Sequence, residues 1–248
     1  MPRFALLSTA CIGLIIIAAI AACGGDGGRL APGEISTKFR AAAQEAAQAA
    51  LLTLDDLPPG WTSAPPEEEE APDLQLSEEC DRFFEQEQLP GEVASADSND
   101  FTGPDDQEVS CVATVFAAEN AAQDALDSVK EGLSLCRDEL VDAFDRLVRQ
   151  GFQEGGGDPD LLEEVDISFQ DLSFPRLGDA SLAFRISADI RALGLPFDFT
   201  GDIIGIREGR TVDGLFYFVV GRLDIEEEQR LAEVVADKLV KANASLPD

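Results

Sequence analysis

The sequence predicts an α+β fold, a mostly antiparallel sheet packed with helices in two layers. Three observations lead there. Residues 118–150 carry an apolar stripe at helical spacing. Residues 165–220 read as four consecutive strands separated by short breaks. A further amphipathic segment closes the chain after Asp224.

Along the chain, Ser36 can cap a helix running to about Leu54, rich in Ala, Gln and Glu, with Phe39, Ala42, Ala46 and Ala49 as its apolar stripe. Pro58-Pro59-Gly60 ends it, and the single tryptophan, Trp61, follows. Residues 62–75 hold Pro65, Pro66, Pro72 and the run Glu67 to Glu70, and read as a solvated loop. Ser77 starts a short helix on which Leu76, Cys80 and Phe83 share one face; Pro90-Gly91 stops it. Strands are expected over Val93–Phe101 and Val109–Phe116, joined by a turn at residues 103–106.

The long helical pattern runs Ala118, Ala122, Ala125, Val129, Leu133, Cys136, Leu140, Phe144, Leu147, and is broken by Gly151 and by the glycines at 155–157. Val165, Ile167 and Phe169 alternate; the period slips at Asp171 and resumes at Leu172 and Phe174, which predicts a bulge. Leu182 to Ile190 alternates between an apolar and a largely polar face. Phe197–Arg207 and Thr211–Gly221 follow, joined by a tight turn at Glu208-Gly209, and Leu215–Val220 is apolar on both faces, as a mid-sheet strand requires. Asp224 caps the last helix, with Glu227 placed for a capping box and Leu231, Val234, Val235 and Leu239 facing inward.

Charge excludes one class of partner. The 248 residues contain 49 acidic and 18 basic side chains, a balance of −31. Such a surface repels phosphate backbones, so no nucleic-acid binding is expected. There is no histidine. A Ser-His-Asp or Cys-His site therefore cannot be built from this chain, and the commonest transition-metal ligand is missing.

Residues 15–28 read IIIAAIAACGGDGG. Arg3 gives a short positive start, Phe4 to Ile20 is apolar or small, and Ala21 and Ala22 precede Cys23, the grammar of a secretory signal peptide. Ile20-Ala21-Ala22-Cys23 resembles the lipobox of bacterial lipoproteins. That resemblance implies cleavage between Ala22 and Cys23, lipid on Cys23, and a membrane anchor made by the lipid. Losing the first 22 residues, which hold Arg3 and no acid, takes the balance to −32. The organisation read from the sequence is a signal peptide over 1–22, a flexible Gly-rich tether over 23–35, and one extracytoplasmic domain over 36–248. The alternative, an uncleaved spanning helix over Phe4–Ala22, also puts the rest of the chain outside the cytoplasm.

Five cysteines occur. Cys11 leaves with the signal peptide and Cys23 carries lipid, which leaves Cys80, Cys111 and Cys136 in an oxidising compartment with three possible pairings. Cys80 and Cys136 both lie on apolar helix faces, which favours that pair. It closes a loop of about 57 residues, an effect of about 4 kcal/mol in the chain-entropy description. Cys111 falls inside a strand and is expected to be a buried, inert thiol.

The order of several segments resembles the PknH-like extracellular sensor domains and related bacterial lipoproteins. The segments are Leu51-Leu52-Thr53-Leu54-Asp55-Asp56-Leu57-Pro58-Pro59-Gly60-Trp61, then Val115-Phe116 leading to Ala121-Ala122 and Cys136. Leu177-Gly178-Asp179-Ala180, the hairpin Ile206-Arg207-Glu208-Gly209-Arg210 and the C-terminal helix complete the order. The resemblance implies a sheet-plus-helices sensor or ligand-binding domain outside the cell. This chain lacks a kinase domain and a spanning segment after the signal, so the implied form is a free-standing lipoprotein, and no ligand residues carry over.

The function expected is thus a non-enzymatic, sensor-like or ligand-binding domain on a lipid anchor, with a small ligand or a surface protein as its partner. A structural or partner-binding surface lipoprotein is the alternative. A carboxylate-dependent hydrolase needs no histidine, but no pair stands out among so many acids, and no nucleophile elbow, P-loop or dinucleotide fingerprint is present. No cofactor and no metal centre is expected. Asp97-Ser98-Asn99-Asp100 lacks EF-hand spacing and reads as a turn, and Trp61 reads as a core or loop-anchoring residue.

Overall fold

The computed structural model describes residues 35–66, 74–84, 89–158 and 161–247. The signal peptide, its Ala22–Cys23 cleavage point, the lipidation site at Cys23, all but the last residue of the tether and the run Glu67 to Glu70 lie outside these residues.

Helix α1 spans Thr37–Ala50, and the Ser36 hydroxyl accepts the Phe39 N–H at its start. A short strand β1 (Thr62–Ala64) and helix α2 (Glu78–Phe84) follow. Next come β2 (Glu92–Asp97), β3 (Asp100–Thr102) and β4 (Gln107–Phe116). Helices α3 (Glu119–Leu135) and α4 (Arg137–Glu154) lead to β5 (Leu162–Asp171), β6 (Ala180–Ala192), β7 (Leu195–Glu208) and β8 (Thr211–Val220). Helix α5 (Ile225–Ser245) ends the fold, capped by Asp224, whose carboxylate accepts the N–H groups of Glu226 and Glu227.

The eight strands form one sheet in the order β1-β3-β4-β8-β7-β6-β5, with β2 also paired to β4 and every pairing antiparallel. The α+β class is the one the sequence predicts. The helices occupy both faces of the sheet, which makes three layers where two are expected from the sequence, because the central strands are apolar on both sides. α1 and α5 cover one side, where Ala47, Leu231, Val235 and Leu239 meet Cys111, Ile204, Leu215 and Tyr217. α3 and α4 cover the other, where Leu126, Val129, Leu140 and Phe144 meet Phe184, Ile203, Phe216 and Phe218. β4, β7 and β8 are apolar on alternate residues of both faces, so each face needs a cover. β8, expected mid-sheet, lies between β4 and β7.

Several boundaries differ from the sequence reading. α1 stops at Ala50 instead of Leu54. Leu51 is extended, Leu52 N–H reaches Cys111 Sγ at 3.2 Å, and the Asp56 carboxylate accepts both the N–H and the hydroxyl of Thr53 at 2.8 Å, closing a one-turn 3₁₀ helix over Leu54–Asp56. The buried face of α1 is Ala43, Ala46, Ala47 and Ala50, rotated from the expected stripe because alanine is spread round the helix. The strand expected over Val93–Phe101 is broken at Ser98-Asn99, where the Ser98 hydroxyl accepts the Cys111 N–H at 2.8 Å. β1 falls in the expected loop.

The long helix over 118–150 is two helices. Cys136, at φ −94° and ψ 9°, breaks it, and the stripe passes through the break without interruption. No bulge forms at Asp171. β5 ends there, and Leu172 and Phe174 pass to the opposite core from Phe169; the register shift of this strand lies instead between Leu162 and Glu164.

Candidate functional site

The sheet centre carries a polar row on the side facing α5. Arg185 of β6, Asp202 of β7 and Tyr217 of β8 are register partners in sequence across the three strands. The Arg185 guanidinium donates two hydrogen bonds to Asp202, the first at 2.7 Å from Nε. Glu228 of α5 covers the pair, with a carboxylate oxygen 4.0 Å from the same guanidinium. Asp202 is 0% and Glu228 1% exposed. Burial first, then the hydrogen bond with Asp202, pushes the Glu228 carboxyl up to about 9. Glu228 is therefore protonated at neutral pH, the form that its hydrogen bond with Asp202 favours. Burial likewise raises the Tyr217 phenol, whose oxygen has no hydrogen-bond partner among the described residues.

A second buried acid lies along the same face of β8. Asp213 opposes Ala113 and Ile206 in register, is 0% exposed, and neither carboxyl oxygen has a hydrogen-bond partner among the described residues. Burial raises its pKa well above the ordinary range, with the Lys238 charge opposing. Lys238 itself pairs with Asp56 at 2.9 Å. Burial works against the charge of Asp56, but the bonds from Lys238 and Thr53 outweigh it and hold that carboxyl below its usual value. Cys111 is fully enclosed nearby, and burial, then the proximity of Asp213, pushes its thiol well up. A thiol in that state is unreactive.

Glu228 thus seats α5 against the Arg185–Asp202 pair, and Cys111 holds the Leu52 N–H just beyond α1. Solvent meets the other end of the same sheet face. α5 covers β7 and β8, and beyond it the residues Glu164, Asp166, Ser168 and Gln170 of β5 are exposed. Asp166, Asp189 and Asp198 form one register row across β5, β6 and β7. At the tip of the β6–β7 hairpin, Leu161, Leu193 and Leu195 are 43%, 46% and 58% exposed. On the opposite face, a cavity under α3 lined by Leu89, Val112, Phe116, Ala125, Leu126 and Val129 has a free volume of about 10 Å³, room for one water.

Cys80 and Cys136 are joined, with Cα atoms 5.7 Å apart, and the bond ties α2 to the break between α3 and α4. Trp61 is 7% exposed and packs into the core beside Gly103. Asp97 and Asp100 flank the break between β2 and β3, and among the described residues no three His, Cys, Asp or Glu side chains are grouped to hold a metal ion. No described helix is long and apolar enough to cross a membrane.

Sequence reasoning missed Arg185, Asp202, Asp213, Tyr217 and Glu228. A signal was present: Asp202 shares its strand parity with Ile204 and Ile206, and Asp213 with Leu215 and Tyr217. An acid at a core-facing parity is unusual unless it is paired or neutral.

No family model matches the chain, and no curated protein matches it. Its structure is similar to the extracellular domain of PknH from Mycobacterium tuberculosis, at 11% sequence identity and a TM-score of 0.42, over 82% of this chain and 97% of that one.

Proposed function

We propose that this chain is a lipid-anchored, extracytoplasmic binding domain of the sensor type, without a catalytic role. The observation that carries the compartment is the Cys80–Cys136 bond, a crosslink that persists in oxidising surroundings. It agrees with the lipobox-like Ile20-Ala21-Ala22-Cys23 ahead of a glycine-rich tether. In this reading Cys23 bears the lipid and the tether sets the domain off from the bilayer.

Recognition by the outer surface is the mode that the geometry favours. The cavity under α3 has room for a single water, whereas the β5 end of the sheet presents an open polar face and a leucine tip. A small-molecule pocket usually offers several hundred Å³. The partner in this reading is a surface protein.

Intact-mass analysis of the detergent-extracted mature protein tests the anchor. The expected result is an N-terminus at Cys23 carrying acyl chains, and loss of membrane fractionation in Cys23→Ala. An unmodified N-terminus elsewhere overturns the reading.

A further inference from the structure

β5 is the outermost strand on its side of the sheet, and its outer edge pairs with nothing among the described residues. Its ten residues leave a row of backbone N–H and C=O groups unpaired, the template on which another strand can form. The strand is two-faced. Glu164, Asp166, Ser168 and Gln170 point to the open side, whereas Ile167 and Phe169 join the core under α4.

Charge on the open side is unbalanced. Glu164 is 3.8 Å from Arg191, and Asp171 pairs with Arg137 at 2.9 Å. Asp166, Asp189 and Asp198 oppose one another in register and have no basic partner among the described residues. Like charges directly opposite each other across strands are unfavourable. A second copy of this chain is a poor occupant of the edge, since two such acidic chains repel each other.

We propose that β5 is a docking edge for an extended segment of a partner protein in which basic and apolar residues alternate. The segment adds to the sheet as a further strand. Its backbone completes the outer ladder, its basic side chains lie beside Asp166 at the head of the acidic row, and its apolar ones extend the layer of Ile167 and Phe169 beneath α4. This inference rests on the surface-recognition reading above and names the partner's chemistry.

The test uses the mature protein in detergent micelles and an eight-residue capped peptide of alternating Lys and Val as the probe. Controls are the Glu-Val counterpart and a Lys-Val peptide N-methylated at every second residue. Expected are saturable binding of the Lys-Val peptide, slowed hydrogen exchange confined to β5, and affinity at least about tenfold weaker at raised salt. Binding should be lost with both controls. Asp166→Lys, an exposed change whose fold is checked by circular dichroism, should weaken binding about tenfold. The proposal is overturned by equal binding of the N-methylated peptide, by protection elsewhere than β5, by no binding, or by self-association of the protein through this edge. If Cys23 is acylated and no peptide binds, only the docking edge falls and the anchor stands.

Discussion

Arg185 grips Asp202 from the neighbouring strand through two guanidinium nitrogens, and Asp202 is wholly out of solvent. The contact sets an ion pair in the buried polar row at the sheet centre. Its consequence is asymmetric. Removing the cation strands a buried carboxylate, whereas removing both charges leaves a site that apolar side chains can fill.

Arg185→Met should therefore cost about 2–4 kcal/mol in urea unfolding, moderated by the hydrogen bond Asp202 keeps with Glu228. The double variant Arg185→Met, Asp202→Leu should recover most of that loss. Additive costs in the double-mutant cycle would show that the two side chains do not act as a pair.

Stability should fall as pH rises. Burial and the bond with Asp202 hold Glu228 near 9 in the folded chain, against an ordinary value of 4.5, and burial raises Asp213 as well. The folded state thus holds these protons more tightly than the unfolded chain. That stabilisation is complete below the ordinary values and is lost as pH climbs toward the folded ones, by at most about 1.4 kcal/mol per pH unit for each group. Thermal melting should be lower at about pH 8 than at about pH 5.5, and Glu228→Gln should flatten the trend. An unchanged slope in that variant counts against Glu228 as the group responsible.

In the denatured, unreduced mature protein a thiol reagent should label Cys111 and neither Cys80 nor Cys136. The native protein should take up no label, since Cys111 is buried and its thiol is held neutral. Labelling of Cys80 or Cys136 would mean that the crosslink is not formed.

Opening that crosslink should be costly. Cys80→Ser with Cys136→Ser should lower stability by about 4 kcal/mol for the loop they close. Denaturation with and without reductant should give the same difference in the wild-type chain and none in the double variant.

The strand series was legible because its period was clean. Leu182, Phe184, Ile186 and Ala188 alternate without a break, and the structure places Phe184, Ile186 and Ala188 in one core. The break at Cys136 was not legible, because Leu133, Cys136 and Leu140 keep helical spacing across it and only the backbone angle changes. The face of α1 was hidden by alanine on every side. Leu172 and Phe174 looked like a slipped strand because residues crossing from one core to the other are apolar on either side. The acids at the sheet centre were lost among 49, and only their parity with neighbouring Ile and Leu residues distinguishes them. Open faces such as that of β5 leave no mark in the sequence beyond alternation, since whether a strand has two neighbours is decided by the rest of the chain.

β4, β7 and β8 give alternate side chains to two separate apolar layers. Neither layer can melt while the other persists, because stripping a helix pair from one side leaves the central strands bare and loosens the ladder that the far side depends on. Heating should thus produce one calorimetric peak whose van't Hoff and calorimetric enthalpies agree, with the whole sheet behaving as a single cooperative unit.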